Sequence, residues 1–413
     1  MSNQKSSAVR WIVLAALVLT WAMTFFSRFV WSPVLSTAAT DIGMTMAEAG
    51  SLMSAFYFGY LFTQIPGGWM ADKFKPKYWM IAFLALTAAG TFALSFVQDY
   101  TTAYAIRFIT GFLGGPIFAL ASRILSDYFE PRERGVAFGA LLASPSIGTL
   151  IANQVGPRVL TASWGGWRAT FQVAALLVLI VAIVDLFLVR NPEEVPSTQG
   201  KPTLIEGFKN YFSNKQLVIT SLGGFLFMAI PAGFSTWANK FMTGAAPAGV
   251  GITATQAGTV MTLYAICSIL GSILSGVVGK KFKINPKWFI IFIYAGACLS
   301  ILFFGSRTSY TGLIIAGIVF ALFSCSSSTQ ITTWAVNIGG SRFSGSTTAL
   351  QNLLFQSSNV IFPTIAGALI DNATVEGVVQ SYSSVWYLYA GLLAAGIVAM
   401  LFTSAKSARD SMK

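Results

Sequence analysis

Twelve stretches of this chain are apolar for about 20 residues or more, long enough for an α-helix to cross the ~30 Å hydrocarbon layer of a bilayer. They fall near residues 11–37, 47–70, 78–97, 101–126, 136–160 and 168–189, and then near 217–242, 254–279, 288–306, 311–338, 344–370 and 381–403. Only 10% of the 413 residues are charged, which excludes a soluble globular protein. The prediction is an all-α membrane protein with twelve transmembrane helices in two pseudo-symmetric six-helix bundles. Residues 1–190 form the first bundle, 191–216 a cytoplasmic linker, and 217–413 the second. Pro192, Pro196, Gly200 and Pro202 mark the linker, which also carries a short surface helix around Leu204–Phe212. The first run is too long for a signal-peptide core and carries an arginine, so it is expected to stay in the membrane.

Basic residues orient the spans. Of the 26 lysines and arginines, Arg158, Arg168, Lys240 and Arg307 lie near one set of helix ends, and Arg28 and Arg107 lie within apolar runs. The rest lie in or beside alternate connections on the other side, which makes that side and both termini cytoplasmic. The net charge of +12 is then a consequence of topology, and no nucleic-acid partner is implied. The expected location is the cell (inner) membrane, as a multi-pass monomer whose partners are the lipid bilayer and a small solute.

Arg28 sits in the middle of the first run, in Thr24-Phe25-Phe26-Ser27-Arg28-Phe29-Val30-Trp31. Placing a guanidinium in hydrocarbon costs at least ~2.5 kcal/mol, so an arginine at that depth needs a reason. We read it as facing a water-filled cavity and holding an anion. Arg107 lies about six residues into the fourth run and Arg28 nine residues before the end of the first, which puts both roughly 9–14 Å below the outer surface. Two planar donors at one level suit a carboxylate, phosphate or sulfonate. The alternatives are that Arg107 reaches out to the interface and Arg28 only ties helices together.

A weak internal repeat places a glycine-and-basic turn after the second helix of each half, Gly67-Gly68-Trp69-Met70-Ala71-Asp72-Lys73-Phe74 and Gly276-Val277-Val278-Gly279-Lys280-Lys281-Phe282. Two six-helix halves around a site make a transporter plan. The run Tyr60-Leu61-Phe62-Thr63-Gln64-Ile65-Pro66-Gly67-Gly68 with its Asp72-Lys73 pair resembles the anion:cation symporter branch of the major facilitator superfamily, which includes galactonate, hexuronate and phthalate carriers and vesicular glutamate transporters. Arg107-Phe-Ile-Thr-Gly111, Pro131-Arg132-Glu133-Arg134-Gly135, Gly166-Trp167-Arg168 and Pro363-x-x-x-Gly367 extend the resemblance over nearly the whole chain.

That resemblance implies the major facilitator fold and substrate-binding roles for Arg28, Arg107 and Tyr60, with Gln356 and Asn352 as the helix-11 polar positions. It also implies a gating role for Asp72, Lys73, Arg132 and Arg134 at the cytoplasmic helix ends. The loop after helix 2 departs from the pattern, with Lys75 and Pro76 where a glycine and an arginine are usual, and two further departures matter more. The acid that precedes the helix-1 arginine in proton-coupled members is Ser27 here, and the helix-4 glutamate is Gly114.

From the residues themselves, Gln64 and Gln330 are further polar candidates, and Trp237, Tyr264 and Trp334 are candidate aromatic walls. Residues 352, 356 and 359 share a helical face. Of the 14 carboxylates only Asp185 falls inside an apolar run, where pairing with Arg190 or a neighbouring helix is expected, and the chain has no histidine. Coupling through a cavity carboxylate is therefore disfavoured. Anion exchange, uniport, a proton carried on the substrate and a cation site of neutral oxygens all remain.

Cys267, Cys298 and Cys325 have no metal-ligand or disulfide spacing, so no metal or cofactor is expected. Nor do paired carboxylates or a nucleophile and base lie at catalytic spacing, so an enzyme is not expected. The function predicted is a secondary active transporter of a small organic anion, a carboxylate or sugar acid first, working by alternating access around a central site with Arg28 and Arg107. The alternatives are a proton- or cation-coupled organic anion symporter and an exporter of an amphipathic solute.

Overall fold

A computed structural model describes residues 7–129, 134–190, 204–281, 284–339 and 344–404. Its helices in chain order are α1 (Ser7–Phe29), α2 (Trp31–Ile42), α3 (Met46–Lys73), α4 (Pro76–Ala93), α5 (Tyr100–Gly114), α6 (Ile117–Tyr128), α7 (Arg134–Leu141), α8 (Ser144–Thr161) and α9 (Trp167–Leu188). They continue with α10 (Leu204–Ser213), α11 (Lys215–Thr243), α12 (Ala254–Lys281), α13 (Pro286–Gly305), α14 (Tyr310–Ser324), α15 (Ser326–Gly339), α16 (Ser344–Asn372) and α17 (Ser383–Leu401). Between α16 and α17 a small antiparallel ladder pairs β1 (Thr374–Val375) with β2 (Val378–Val379), Thr374 opposite Val379.

Four of the expected spans are interrupted rather than continuous, and proline explains three of the breaks. Pro33, Pro116 and Pro145 lack the amide that a continuing helix would use, and each follows or lies within the break between α1 and α2, α5 and α6, or α7 and α8. The fourth break, at Cys325 between α14 and α15, is held by serines. Ser272 Oγ donates to the Cys325 carbonyl at 2.9 Å and Ser275 Oγ to that of Ser326 at 2.9 Å, which ties α12 to the break and the first residue of α15.

Joining helices across these short breaks gives a set of rods consistent with twelve spans. Among the described residues nine helices or joined helices are long and apolar enough to cross a membrane. Large apolar side chains such as Phe292, Leu299 and Ile273 stand exposed on their flanks, an arrangement suited to lipid rather than water. The short α10 lies outside the spans and also exposes apolar residues, Ile205, Phe208 and Phe212, while Tyr211 packs inward against Leu217 and Leu350.

The chain divides into two compact units, Met1–Met44 with Ser51–Ser197, and Thr45–Gly50 with Thr198–Lys413. In the first, α1 packs on α8 and α9, and α4 on α9 and α5. In the second, α11 packs on α16 and α17, and α12 on α14, around an aromatic core where the Phe234 ring lies 4.7 Å from those of Tyr264 and Phe320.

The first turn of α3 groups with the second unit, and its capping shows why. Thr45 and Glu48 satisfy one another's backbone amides, with Thr45 N donating to Glu48 Oε2 at 2.9 Å and Glu48 N to Thr45 Oγ1 at 3.1 Å. The two amides between them, of Met46 and Ala47, donate to the Asp371 carboxylate of α16 at 2.7 and 2.6 Å. Asp371→Ala leaves both amides without that acceptor and is expected to cost about 1–2 kcal/mol of stability, read as a lower thermal unfolding midpoint. Asp371→Asn keeps one acceptor oxygen and should lose less. An unchanged midpoint in both variants would show that water replaces the carboxylate at no cost.

Candidate substrate-binding site

Arg28 is the penultimate residue of α1, one turn before the Pro33 break. Its side chain has 0% exposure. Four rings surround the guanidinium, with Cζ 4.5 Å from the ring centre of Phe25, 4.8 Å from Phe56, 4.4 Å from Tyr57 and 4.8 Å from Tyr60. The spacing builds this box. Phe25 precedes Arg28 by one turn of α1, and Phe56 and Tyr60 are one turn apart on α3, beside Tyr57.

Among the described residues, no hydrogen bond of ordinary length and angle reaches the three Arg28 nitrogens, although the Tyr60 hydroxyl interacts with the guanidinium. A guanidinium carries five N–H donors, and each buried donor left unsatisfied costs about 1–3 kcal/mol. Ring faces return about 2 kcal/mol or more each to a desolvated cation, but a ring face supplies no lone pair for the N–H donors. The arrangement is therefore electrostatically incomplete. The Arg28 side chain has no exposed surface in this structure, with the four rings packed around the cation.

Arg107 is also fully buried, on α5, and so does not reach the interface. Its Nη1 donates to the Ser27 carbonyl at 3.2 Å and its Nη2 to the Arg28 carbonyl at 3.0 Å. Sequence reasoning placed the two arginines at one height, and the structure does join them, but through the backbone of α1. Ser27, which stands where an acid was looked for, shares a hydrogen bond with Thr91 of α4 at 2.5 Å.

The α3–α5 crossing that brings the box to Arg107 depends on two glycines. A Cβ at Gly111 would lie 1.9 Å from the Phe56 carbonyl oxygen, and one at Gly59 would lie 2.0 Å from that of Phe108. This approach sets the Phe56 ring 5.6 Å from the Arg107 Cζ as well. Gln64, one turn beyond Tyr60, is half-buried.

The candidates in the second unit divide. Trp237, Tyr264 and Trp334 are buried, Tyr264 within the aromatic core, and the indole nitrogens of Trp237 and Trp334 have no hydrogen-bond partner among the described residues. Gln330 donates to the Ser275 carbonyl at 3.1 Å, which makes it part of the α12–α15 packing. Gln356 accepts from Asn359 at 3.0 Å, in keeping with a shared face, and Asn352 is half-buried one turn earlier.

Asp185 is buried on α9 and accepts from Thr20 Oγ1 of α1 at 2.6 Å, so its partner is the neighbouring helix. Of the gating candidates, Arg132 lies outside the described residues, as do the side chains of Asp72, Lys73 and Arg134. Sequence reasoning missed Phe25, Phe56 and Tyr57 as walls of the box. The signal available was one-turn spacing from Arg28 and from Tyr60.

Curated relatives are distant transporters. The chain is 24% identical over 315 residues to the "Probable galactarate/D-glucarate transporter GarP" of Escherichia coli (strain K12), covering 67% of this chain and 68% of that one. It is 23% identical over 419 residues to the "Probable sulfoacetate transporter SauU" of Cupriavidus necator, covering 97% and 95%. To the "D-galactonate transporter" of Escherichia coli O6:H1 it is 26% identical over 290 residues, covering 65% and 66%.

Among solved structures, a bacterial homologue of the human lysosomal transporter Spinster superposes with a TM-score of 0.77 at 17% identity, covering 98% of both chains. The nucleoside transporter NupG gives 0.76 at 18% identity, covering 95% of this chain and 100% of that one. The family model described as Major Facilitator Superfamily matches residues 17–246 and 243–411. With that match spanning both halves of a helical membrane fold, the chain belongs to the Major Facilitator Superfamily and is a multi-pass membrane transporter, not an enzyme.

Proposed function

We propose that this transporter carries a small organic anion, a carboxylate or sugar acid, and that Arg28 receives its anionic group. The observation that carries the reading is a fully buried guanidinium inside an aromatic box, with no acid among its contacts and no hydrogen bond of ordinary geometry to its three nitrogens among the described residues. A carboxylate supplies two acceptor oxygens in the planar geometry that such a fork accepts, and the rings exclude water from the pair. Relatives named as galactarate/D-glucarate, sulfoacetate and D-galactonate transporters support the solute class. Transport proceeds by alternating access between the two halves in the cell membrane, with both termini cytoplasmic.

Coupling is by exchange or uniport. Among the described residues Asp185 is the one buried acid, and it accepts a hydrogen bond from Thr20 of α1. A proton-coupled carrier of this kind needs a titratable group exchanging protons where the anion binds. Ser27 and Gly114 occupy the two positions where an acid would serve.

The test is counterflow in proteoliposomes. Vesicles preloaded with unlabelled D-galactonate or galactarate should accumulate the labelled anion at least tenfold faster than empty vesicles, and an imposed pH gradient alone should drive little uptake. Concentrative uptake driven by the pH gradient alone would overturn the coupling assignment. Absence of exchange across a panel of sugar acids, carboxylates and sulfonates would overturn the solute class.

A further inference from the structure

Four charged side chains are buried among the described residues: Arg28, Arg107, Asp185 and Lys287. Three of them have protein partners that carry no opposite formal charge. Asp185 accepts from Thr20. Lys287 Nζ donates to the carbonyls of Leu401 and Thr403 at 2.8 and 2.7 Å, at the end of α17. Arg107 donates to the carbonyls of Ser27 and Arg28, in the last turn of α1.

These two cations share one device. The lysine beside the end of α17 and the arginine beside the α1–α2 break are each met by two backbone carbonyl oxygens, which carry partial negative charge. Among the described residues, Arg107 keeps only its Nε without a hydrogen bond of ordinary geometry, whereas Arg28 keeps all three nitrogens so.

We propose that the site accommodates one anionic group, received by Arg28, and that Arg107 is a positioning residue that holds the α1 backbone at Arg28. This rests on the reading that Arg28 binds the anion. The preferred solute is a monoanion, one carboxylate or sulfonate on an uncharged polar body. A dianion brings a second charge for which no other buried cation lacking such hydrogen bonds exists among the described residues, and an uncompensated charge in a water-poor site is costly. The chain is thereby set apart from relatives named for diacids, galactarate, D-glucarate and sulfoacetate.

The experiment is calorimetric titration of the purified full-length protein with skeleton-matched pairs: D-galactonate and galactarate, D-gluconate and D-glucarate, isethionate and sulfoacetate. In at least one pair the monoanion should bind tenfold or more tightly than its dianion. Arg107→Gln should weaken both members by the same factor, so their ratio stays within threefold of wild type. Arg107→Lys, which keeps a cation at the α1 carbonyls, should recover most of the affinity.

A dianion that binds as tightly as its monoanion in every pair overturns the proposal, as does an Arg107→Gln variant that loses the dianion selectively, since Arg107 would then touch the second charge. Should Arg107→Gln fail to fold, the wild-type ratios decide. Arg28→Gln separates the two readings. If it still binds the monoanion, the role of Arg28 fails, whereas if it loses binding and the wild type prefers dianions, only the present inference fails. Binding of none of the six probes overturns both.

Discussion

Arg28→Gln should abolish the thermal stabilisation that organic anions confer, while the ligand-free variant unfolds at or above the wild-type temperature. The two effects have one cause. In the free protein Arg28 is a buried cation that no hydrogen bond of ordinary geometry reaches among the described residues, and replacing an uncompensated buried charge by a neutral group relieves its desolvation. With the anion bound, the same charge becomes half of a buried pair, and truncating one member of such a pair costs about 2–5 kcal/mol, roughly 30- to several-thousand-fold in affinity. Arg28→Lys keeps the charge and loses the fork, so its affinity should fall between the two. If Arg28 were instead a structural tie, the glutamine variant would unfold earlier than wild type and still respond to ligand. Scanning fluorimetry with and without D-galactonate distinguishes these outcomes.

The second large effect is expected at Gly111. A methyl group there would lie 1.9 Å from the Phe56 carbonyl oxygen, inside any tolerable contact, and the obstacle is backbone, which cannot rotate away. Helices α3 and α5 would have to separate, carrying Phe56 and Tyr60 away from Arg28. Overpacking in a core costs about 1–3 kcal/mol when side chains can shift, and a clash with backbone should exceed that. Gly111→Ala is expected to lower the yield of monodisperse protein and the unfolding midpoint, with anion binding weakened in whatever folds. Gly114 on the same helix is the control, because a Cβ there meets only the Phe56 ring edge at 3.8 Å. Equal behaviour of Gly111→Ala and Gly114→Ala would show that the two helices do not cross this closely.

The reach of the sequence is clear from α1. Its apolar length, the depth of Arg28 and the absence of an acid at Ser27 can all be read along one strand of text, because membrane crossing depends on local hydrophobicity and helix rise. The proline breaks are legible for the same reason, since a missing amide is a property of the residue itself. Arg107 shows the limit. Its depth is legible, but the carbonyls of Ser27 and Arg28 that its donors meet lie about eighty positions away in sequence. Asp371 is a similar case, with partners at Met46 and Ala47 that no spacing rule connects to it.

By itself the sequence determined that this chain is a helical membrane protein in two halves with a cation held at depth, since span length, charge and proline position act through near neighbours. Tertiary structure alone decided which buried charges the protein satisfies and which one it leaves open. That choice depends on where helices cross, and two crossing helices meet wherever glycines and side-chain shape allow, regardless of their separation along the chain.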